Sequence, residues 1–126
     1  ADAGWVPHYM YRMDHAYKRH RYWLPPGQEL SKLPSEYFRE HIYTTFQDDW
    51  IAFKMVEHVN HERLLWANDF PHSDSTWPWS QEMLDEHAAS LTDVQAKDIL
   101  CDNAAELYEI NLAALPVGGD SLAATV

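Results

Sequence analysis

Two patterns of apolar residues divide this chain into segments: recurrence every three or four residues, and continuous apolar runs. From Val6 to Tyr17, apolar residues recur at intervals of three and four, which predicts an amphipathic helix. Two consecutive prolines end this helix near Trp23 and begin a polar loop. After the loop, Ser35 is a candidate N-cap for a short helical turn over residues 36–39.

Two later segments have the composition of β-strands. His41–Phe46 is rich in β-branched and aromatic residues. Leu64–Asn68 begins with a continuous apolar run, which is typical of a strand buried on both faces in a parallel α/β sheet. Between them, Asp48 or Asp49 caps a helix that is rich in apolar residues. A helix connecting two strands predicts a right-handed parallel crossover.

Helices account for most of the remaining chain. Ser80 opens the first of them. Thr92 and the glutamine three residues later form the pattern of a capping box, and Asn103 with its following glutamate repeats the pattern. The last helix is therefore expected to run from Asn103 to about Asn111. Small residues and glycines then predict a flexible tail over 113–126, which leaves 1–112 as the folded part.

This order of elements predicts an α/β fold that is part of a larger structure. A chain of 126 residues is no longer than one ordinary domain. Two parallel strands flanked by helices do not close a sheet, so unpaired edges and apolar helix faces would remain exposed.

Charge and composition exclude several kinds of partner. Residues 1–47 hold six Lys and Arg against five Asp and Glu, and residues 48–126 hold three against fifteen, which gives +1 and −12. An acidic surface repels phosphate backbones, so nucleic acid is not an expected partner. The basic cluster Lys18–Arg21 is either an anion site or, as we expect, a solvated helix face.

Membrane insertion and disulfide bonding are also not expected. No apolar run approaches the roughly 20 residues that a membrane-spanning helix needs. Cys101 is the single cysteine, which excludes an internal disulfide and fits a cytoplasmic protein. Its position on an apolar helix face predicts a core residue.

Candidate chemistry lies where the second predicted strand ends. Asp69 and His72 follow that strand directly, and in α/β barrels the carboxyl ends of the strands carry the active site. Asp69 could equally serve as a turn-forming residue, and His72 could be an ordinary loop residue. His58 and His61 have the spacing of metal ligands, but no partner carboxylate pattern accompanies them, so we expect surface histidines.

Four motifs together give the chain a family resemblance. It resembles the C-terminal part of the amidohydrolase-2 proteins, metal-dependent (β/α)8-barrel enzymes that include the γ-resorcylate and 2-amino-3-carboxymuconate semialdehyde decarboxylases. Each motif is weak alone, but they occur in the family's order and spacing. They are Gly4–Pro7 with Arg12–Asp14, Pro34–Arg39, Asn68–His72 and Asn103–Tyr108.

The resemblance implies a place in a TIM barrel for each predicted strand. His41–Phe46 would be the seventh barrel strand and Leu64–Asn68 the eighth, with the end of the sixth at residues 1–3. The expected fold is thus the C-terminal part of a (β/α)8 barrel, incomplete in this chain, since a complete barrel takes about 250 residues.

The resemblance also implies roles for three side chains. Asp69 matches a metal ligand that also handles protons, Arg12 matches a residue that binds the substrate carboxylate, and His72 lies at the pocket rim. Without the resemblance, Arg12 is expected in a structural ion pair. The family's remaining ligands, a His-x-His or Glu-x-His pair and further histidines, are not in this chain. One carboxylate is too few for zinc or manganese, because catalytic zinc normally takes three protein ligands.

Two functional hypotheses follow. The first is part of a divalent-metal enzyme that hydrolyses or non-oxidatively decarboxylates a small carboxylated or cyclic substrate and is inactive alone, with its other ligands in a missing N-terminal portion. The second is a non-catalytic half-barrel that is stabilised by self-association as a homo-oligomer.

Overall fold

A parallel pair of short strands lies at the centre of the fold. In this computed structural model, which describes residues 2–115, β1 (Thr44–Phe46) pairs with β2 (Leu64–Trp66) in parallel. The predicted parallel arrangement is therefore confirmed. Both strands are shorter than predicted, because His41 ends the preceding helix and Asn68 lies in the turn after β2.

Six α-helices flank this pair in the described part of the chain. Short 3₁₀ turns follow or connect several of them, over Arg21–Trp23, Val56–His58, His61–Arg63, Ala88–Ser90 and Leu112–Ala114. A π-helical stretch, Asp98–Asp102, joins the last two helices. The α-helices are α1 (Val6–His20), α2 (Pro34–His41), α3 (Trp50–Lys54), α4 (Ser80–His87), α5 (Asp93–Lys97) and α6 (Asn103–Leu107).

The core forms on both faces of β2. Leu64 and Leu65 point to opposite faces of the strand, yet they are only 2% and 4% exposed. The first half of the apolar run is therefore covered on both sides, as predicted, whereas Ala67 at its end is exposed. Phe46 of β1 meets Phe53 of α3 edge to face, with ring centroids 5.0 Å apart, and Ile99 of the π-helical stretch joins the same cluster.

Asn103 is not the helix cap that the sequence predicts. The chain is helical on both sides of it, and its side chain is buried. Its Nδ2 donates to the carbonyl oxygens of His61 and Leu64, at 2.6 and 2.8 Å. Ala67 donates to the Phe46 carbonyl across the strand pair, so the Leu64 carbonyl points to the opposite, open edge. Asn103 therefore satisfies a carbonyl that no described strand reaches.

Ser35 is also not a cap. It lies inside α2, and its backbone N–H and Oγ both donate to Asp14 of α1, each at 2.8 Å. The N-terminal end of α2 is bound instead by Glu36, whose carboxylate accepts the N–H of Leu33 at 2.7 Å. The sequence misses this arrangement because Asp14 is 21 residues away along the chain.

Other predicted features have mixed outcomes. Asp49, rather than Asp48, caps α3 by accepting the Ala52 N–H at 3.1 Å. The capping box of Thr92 is confirmed, with reciprocal bonds of 3.0 and 3.2 Å. Cys101 is exposed, so its predicted place in the core is wrong. The last helix ends at Leu107, about one turn earlier than predicted.

The ends of the chain are described only in part. The predicted tail over 113–126 begins within the final 3₁₀ turn, and residues 116–126 lie outside the described residues. At the other end, Asp2 and Ala3 are not in a strand, and Ala1 lies outside the described residues. No helix within residues 2–115 has the length and apolar character to cross a bilayer.

The substitution Asn103→Ala is expected to lower the free energy of unfolding by about 1–3 kcal/mol, since it leaves the Leu64 carbonyl without its donor. The His61 carbonyl loses one donor but still accepts the backbone N–H of Leu64. Urea denaturation measures this effect. The control is Asn111→Ala, which removes an exposed side-chain acceptor of the Ala113 N–H and should cost less than about 1 kcal/mol. Equal effects of the two substitutions would contradict the edge-capping role of Asn103.

Candidate active site

A pocket of about 130 Å³ opens at the carboxyl ends of the two strands. The parallel pairing brings the residues after β1 and those after β2 to the same edge of the sheet. This is the edge at which parallel α/β proteins bind their ligands. The pocket is lined by Asp2, Thr45, Phe46, Gln47, Ala67 and Asp69.

Asp69 lies in this pocket and also shapes the turn after β2. Its φ of 59° is in the left-handed region, which aspartate and asparagine tolerate better than other non-glycine residues. Its carbonyl accepts the N–H of His72 at 2.8 Å, and its side chain is 57% exposed. The two interpretations of Asp69 are thus compatible: the backbone forms the turn, and the turn presents the carboxylate at the pocket.

His72 is placed beside Asp69 by that turn. Its Nδ1 lies 3.5 Å from Asp69 Oδ2 and 3.3 Å from the backbone nitrogen of Asp74. A neutral imidazole with an unprotonated Nδ1 accepts the Asp74 N–H, whereas a protonated Nδ1 faces the Asp69 carboxylate. His72 does not line the pocket itself.

Arg12 lies on an exposed part of α1 and is not among the residues that line the pocket. The structural ion pair that the sequence favours is not observed, since no ion pair within residues 2–115 includes Arg12. Asp14, two residues later, instead binds Ser35. Because the two side chains are two residues apart, they project from different helix faces.

Asp2 and Gln47 line the pocket and were missed as site residues. Asp2 Oδ1 accepts the Gln47 N–H at 3.1 Å, and Gln47 Nε2 donates to Asp74 at 3.3 Å. The Gln47 Oε1 atom is buried and has no hydrogen-bond partner in the described structure. Gln47 follows β1 directly, so its place after a strand was a usable signal. Asp2 carried a similar signal, since the resemblance implies that the end of the sixth barrel strand lies at residues 1–3.

The described residues do not fit a complete metal site. Within residues 2–115, no three side chains of His, Cys, Asp or Glu come close enough together to hold a metal ion. The pocket supplies the carboxylates of Asp2 and Asp69, fewer than the three protein ligands of a typical catalytic zinc. Of the spaced pair of histidines, His58 is exposed and His61 has its Nδ1 3.0 Å from Asp98 Oδ2.

Comparison with known proteins identifies the family. The sequence profile described as amidohydrolase matches residues 3–110. The chain belongs to the amidohydrolase family. The match includes all four motifs that carry the resemblance, and it also includes every pocket-lining residue except Asp2. No curated protein matches the amidohydrolase chain.

Three solved structures with a similar fold are decarboxylases. A dihydroxybenzoic acid decarboxylase from Polaromonas sp. JS666, with bound manganese and the inhibitor 2-nitroresorcinol, has a TM-score of 0.61 and 20% identity, over 85% of this chain and 31% of its own. A 2,6-dihydroxybenzoate decarboxylase complexed with 2,6-dihydroxybenzoate has a TM-score of 0.52 and 18% identity, over 83% of this chain and 32% of its own. The 2,6-dihydroxybenzoate decarboxylase from Rhizobium has a TM-score of 0.52 and 20% identity, over 82% of this chain and 31% of its own.

These similarities establish an α/β fold like that of the decarboxylases. The amidohydrolase chain spans about a third of the length of the solved structures that it matches.

The left-handed backbone of Asp69 gives a testable ranking of variants. Asp69→Asn should change the free energy of unfolding by less than about 0.5 kcal/mol. The free energy of unfolding of Asp69→Ala should be about 1 kcal/mol lower than that of Asp69→Gly, because a Cβ disfavours the left-handed conformation. Asparagine offsets this cost by local hydrogen bonding. Chemical denaturation of the three variants measures the ranking. Equal stability of the alanine and glycine variants would contradict it.

Proposed function

We propose that this chain is the C-terminal part of an amidohydrolase barrel that decarboxylates a small aromatic acid with the help of a divalent metal. In this proposal β1 is the seventh strand, β2 is the eighth, and residues 1–112 form the barrel portion. The observation that carries the proposal is the position of Asp69. Its carboxylate lies at the carboxyl end of a parallel strand, in a pocket, on a family motif.

Asp69 would supply one metal ligand, and the others would come from chain that is not part of this sequence. A bound zinc or manganese ion would supply Lewis-acid chemistry. Since the described residues do not complete a metal site, we derive no catalytic step through the metal for this chain alone.

The residues that are present can bind substrate and move protons. The imidazole of His72 is 3.5 Å from the Asp69 carboxylate, close enough for the two groups to share a proton after a small rotation. Arg12 carries a planar guanidinium, which suits bidentate binding of a substrate carboxylate. Arg12 is exposed on α1 and lies outside the lining of the pocket that contains Asp69.

Decarboxylation is favoured over hydrolysis by the named activities of the structural neighbours. All three are dihydroxybenzoate decarboxylases, and one of them has manganese bound. A planar aromatic acid would suit the rings of Phe70, the residue after Asp69, and Trp77, which pack edge to face with centroids 5.2 Å apart outside the pocket lining. Hydrolysis of a cyclic substrate is the alternative reaction at the same site.

A second candidate function is a non-catalytic half-barrel that self-associates. Two observations favour it: β1 and β2 are the only strands within residues 2–115, and several aromatic side chains are largely exposed, among them Tyr22 at 77% and Trp23 at 79%. Association of two copies would cover open strand edges and these aromatic side chains together.

Metal binding and oligomeric state of the purified 126-residue chain distinguish the two candidates. The enzyme proposal expects less than one manganese ion per chain after gel filtration, and no carbon dioxide release from 2,6-dihydroxybenzoate. A metal-free dimer by light scattering would support the half-barrel. Stoichiometric, tightly bound metal in a monomer would contradict both the half-barrel and the incomplete site.

A longer protein that also supplies the family's remaining metal ligands tests catalysis directly. If that protein decarboxylates 2,6-dihydroxybenzoate with manganese, Asp69→Asn should lower kcat/KM by about 10³-fold, the loss typical of a proton-handling group. Asp85→Asn is the control, since Asp85 is an exposed residue of α4. An Asp69→Asn enzyme with unchanged kcat/KM would refute the assigned role.

A further inference from the structure

A buried carboxylate joins the start of the chain to the segment after β1. Asp49 is only 8% exposed, and its Oδ2 accepts the backbone N–H groups of Ala3 and Gly4 at 2.8 and 2.6 Å. Its Oδ1 accepts the N–H of Ala52, the bond that caps α3. The capping bond accounts for one oxygen of Asp49. The other oxygen holds two consecutive amides 45 and 46 residues away along the chain.

Residues 3 and 4, whose amides bind Asp49, directly follow Asp2, which lines the pocket. Asp2 immediately precedes the two amides that Asp49 binds, and its own backbone has a φ of 52°, in the left-handed region. Its Oδ1 accepts the Gln47 N–H at 3.1 Å, which directs the carboxylate to the carboxyl end of β1. Asp49 restrains the two residues that follow Asp2, and Trp5 Nε1 donates to the Asp2 carbonyl at 2.9 Å, so the left-handed backbone of Asp2 is bound on its C-terminal side.

Gly4 shows how closely the two segments approach. A Cβ on Gly4 would lie 2.9 Å from Asp49 Oδ1 and 3.1 Å from the Cβ of Ile51. The first distance is too short for a real Cβ contact, so a side chain at this position would push the segment away from Asp49. Glycine therefore permits the short bonds between Asp49 and the backbone of residues 3 and 4.

We propose that Asp49 is a positioning residue of the pocket, which fixes residues 2–4 and thereby holds the Asp2 carboxylate among the pocket-lining groups. The value of this placement to a reaction rests on the proposed function, but the placement itself does not. Asp49 acts through Asp2 and has no contact with the pocket of its own, since it is not a lining residue.

The backbone amide of Gln47 reports on this placement, because its hydrogen-bond acceptor is the Asp2 carboxylate. Native-state amide hydrogen exchange by NMR is measured on the full chain and on Asp49→Ser, a variant that retains a side-chain acceptor to cap α3. We expect the Gln47 amide to exchange about tenfold faster, which corresponds to the loss of one hydrogen bond. Asp2→Ala should show the same increase, and the double variant should show no more than Asp2→Ala alone.

A matched control separates positioning from loss of stability. Thr92→Ala removes the cap of α5, and the usual cost of a lost cap is about 1 kcal/mol of stability. After correction for global unfolding, this variant should leave the exchange rate and the proton chemical shift of the Gln47 amide unchanged. Gly4→Ala disturbs the same junction from the opposite side and should reproduce the Asp49→Ser result, which keeps the test decisive if Asp49→Ser does not fold.

The proposal would be overturned if Gln47 exchange in Asp49→Ser or Gly4→Ala matched that of Thr92→Ala, or if the double variant exchanged faster than Asp2→Ala. None of these measurements involves metal or substrate. Failure of the proposed decarboxylase activity would therefore leave a positive exchange result standing, and a negative exchange result would leave the role of Asp69 untouched.

Discussion

Parallel pairing of β1 with β2 is the interaction on which the rest of the structure depends. It places both strand ends at one edge of the sheet, so that Gln47 and Asp69, separated by more than twenty residues in sequence, line one pocket. The same pairing creates the core, because the two faces of β2 must both be covered by helices. Fold and candidate site are thus two consequences of one strand register.

The pairing also creates open edges, and the structure treats the two edges differently. On the outer side of β2, Asn103 binds the Leu64 carbonyl, so part of that edge is satisfied by a side chain. On the outer side of β1, alternation of the backbone directs the N–H and C=O of Thr45 away from β2, where no described strand meets them. Such edges fit a sheet that continues, as a barrel does.

The pocket is bordered by two residues in unusual backbone conformations. Asp2 and Asp69 both have left-handed φ values, 52° and 59°, and both present carboxylates to the pocket. Next to Asp2, the N–H groups of residues 3 and 4 donate to the distant Asp49 carboxylate, whereas the Asp69 carbonyl accepts the N–H of His72 within its own turn. Aspartate suits these positions for its backbone as well as its charge, which explains why a turn and a ligand role were both plausible for Asp69.

The sequence by itself determined the local features. Helical periodicity predicted α1, the apolar run predicted β2, and Thr92 with Gln95 predicted a capping box. Each of these features depends on residues that are only a few positions apart. Motif order identified the family, and position after a strand singled out Asp69.

Tertiary structure decided every feature that joins distant segments. Ser35 and Asn103 have the residue types of caps, but Asp14 and the Leu64 carbonyl, both far away in sequence, offered stronger partners. Cys101 lies on the outer side of a helix whose π-helical stretch shifts the register of its faces, so helical periodicity misplaced it. Asp2 lies in the pocket beside Gln47, and Asp49 binds the backbone that follows Asp2 across the fold. Local features depend on neighbouring residues and can be read from the sequence. Contacts between distant segments depend on which segments the strand pairing brings together.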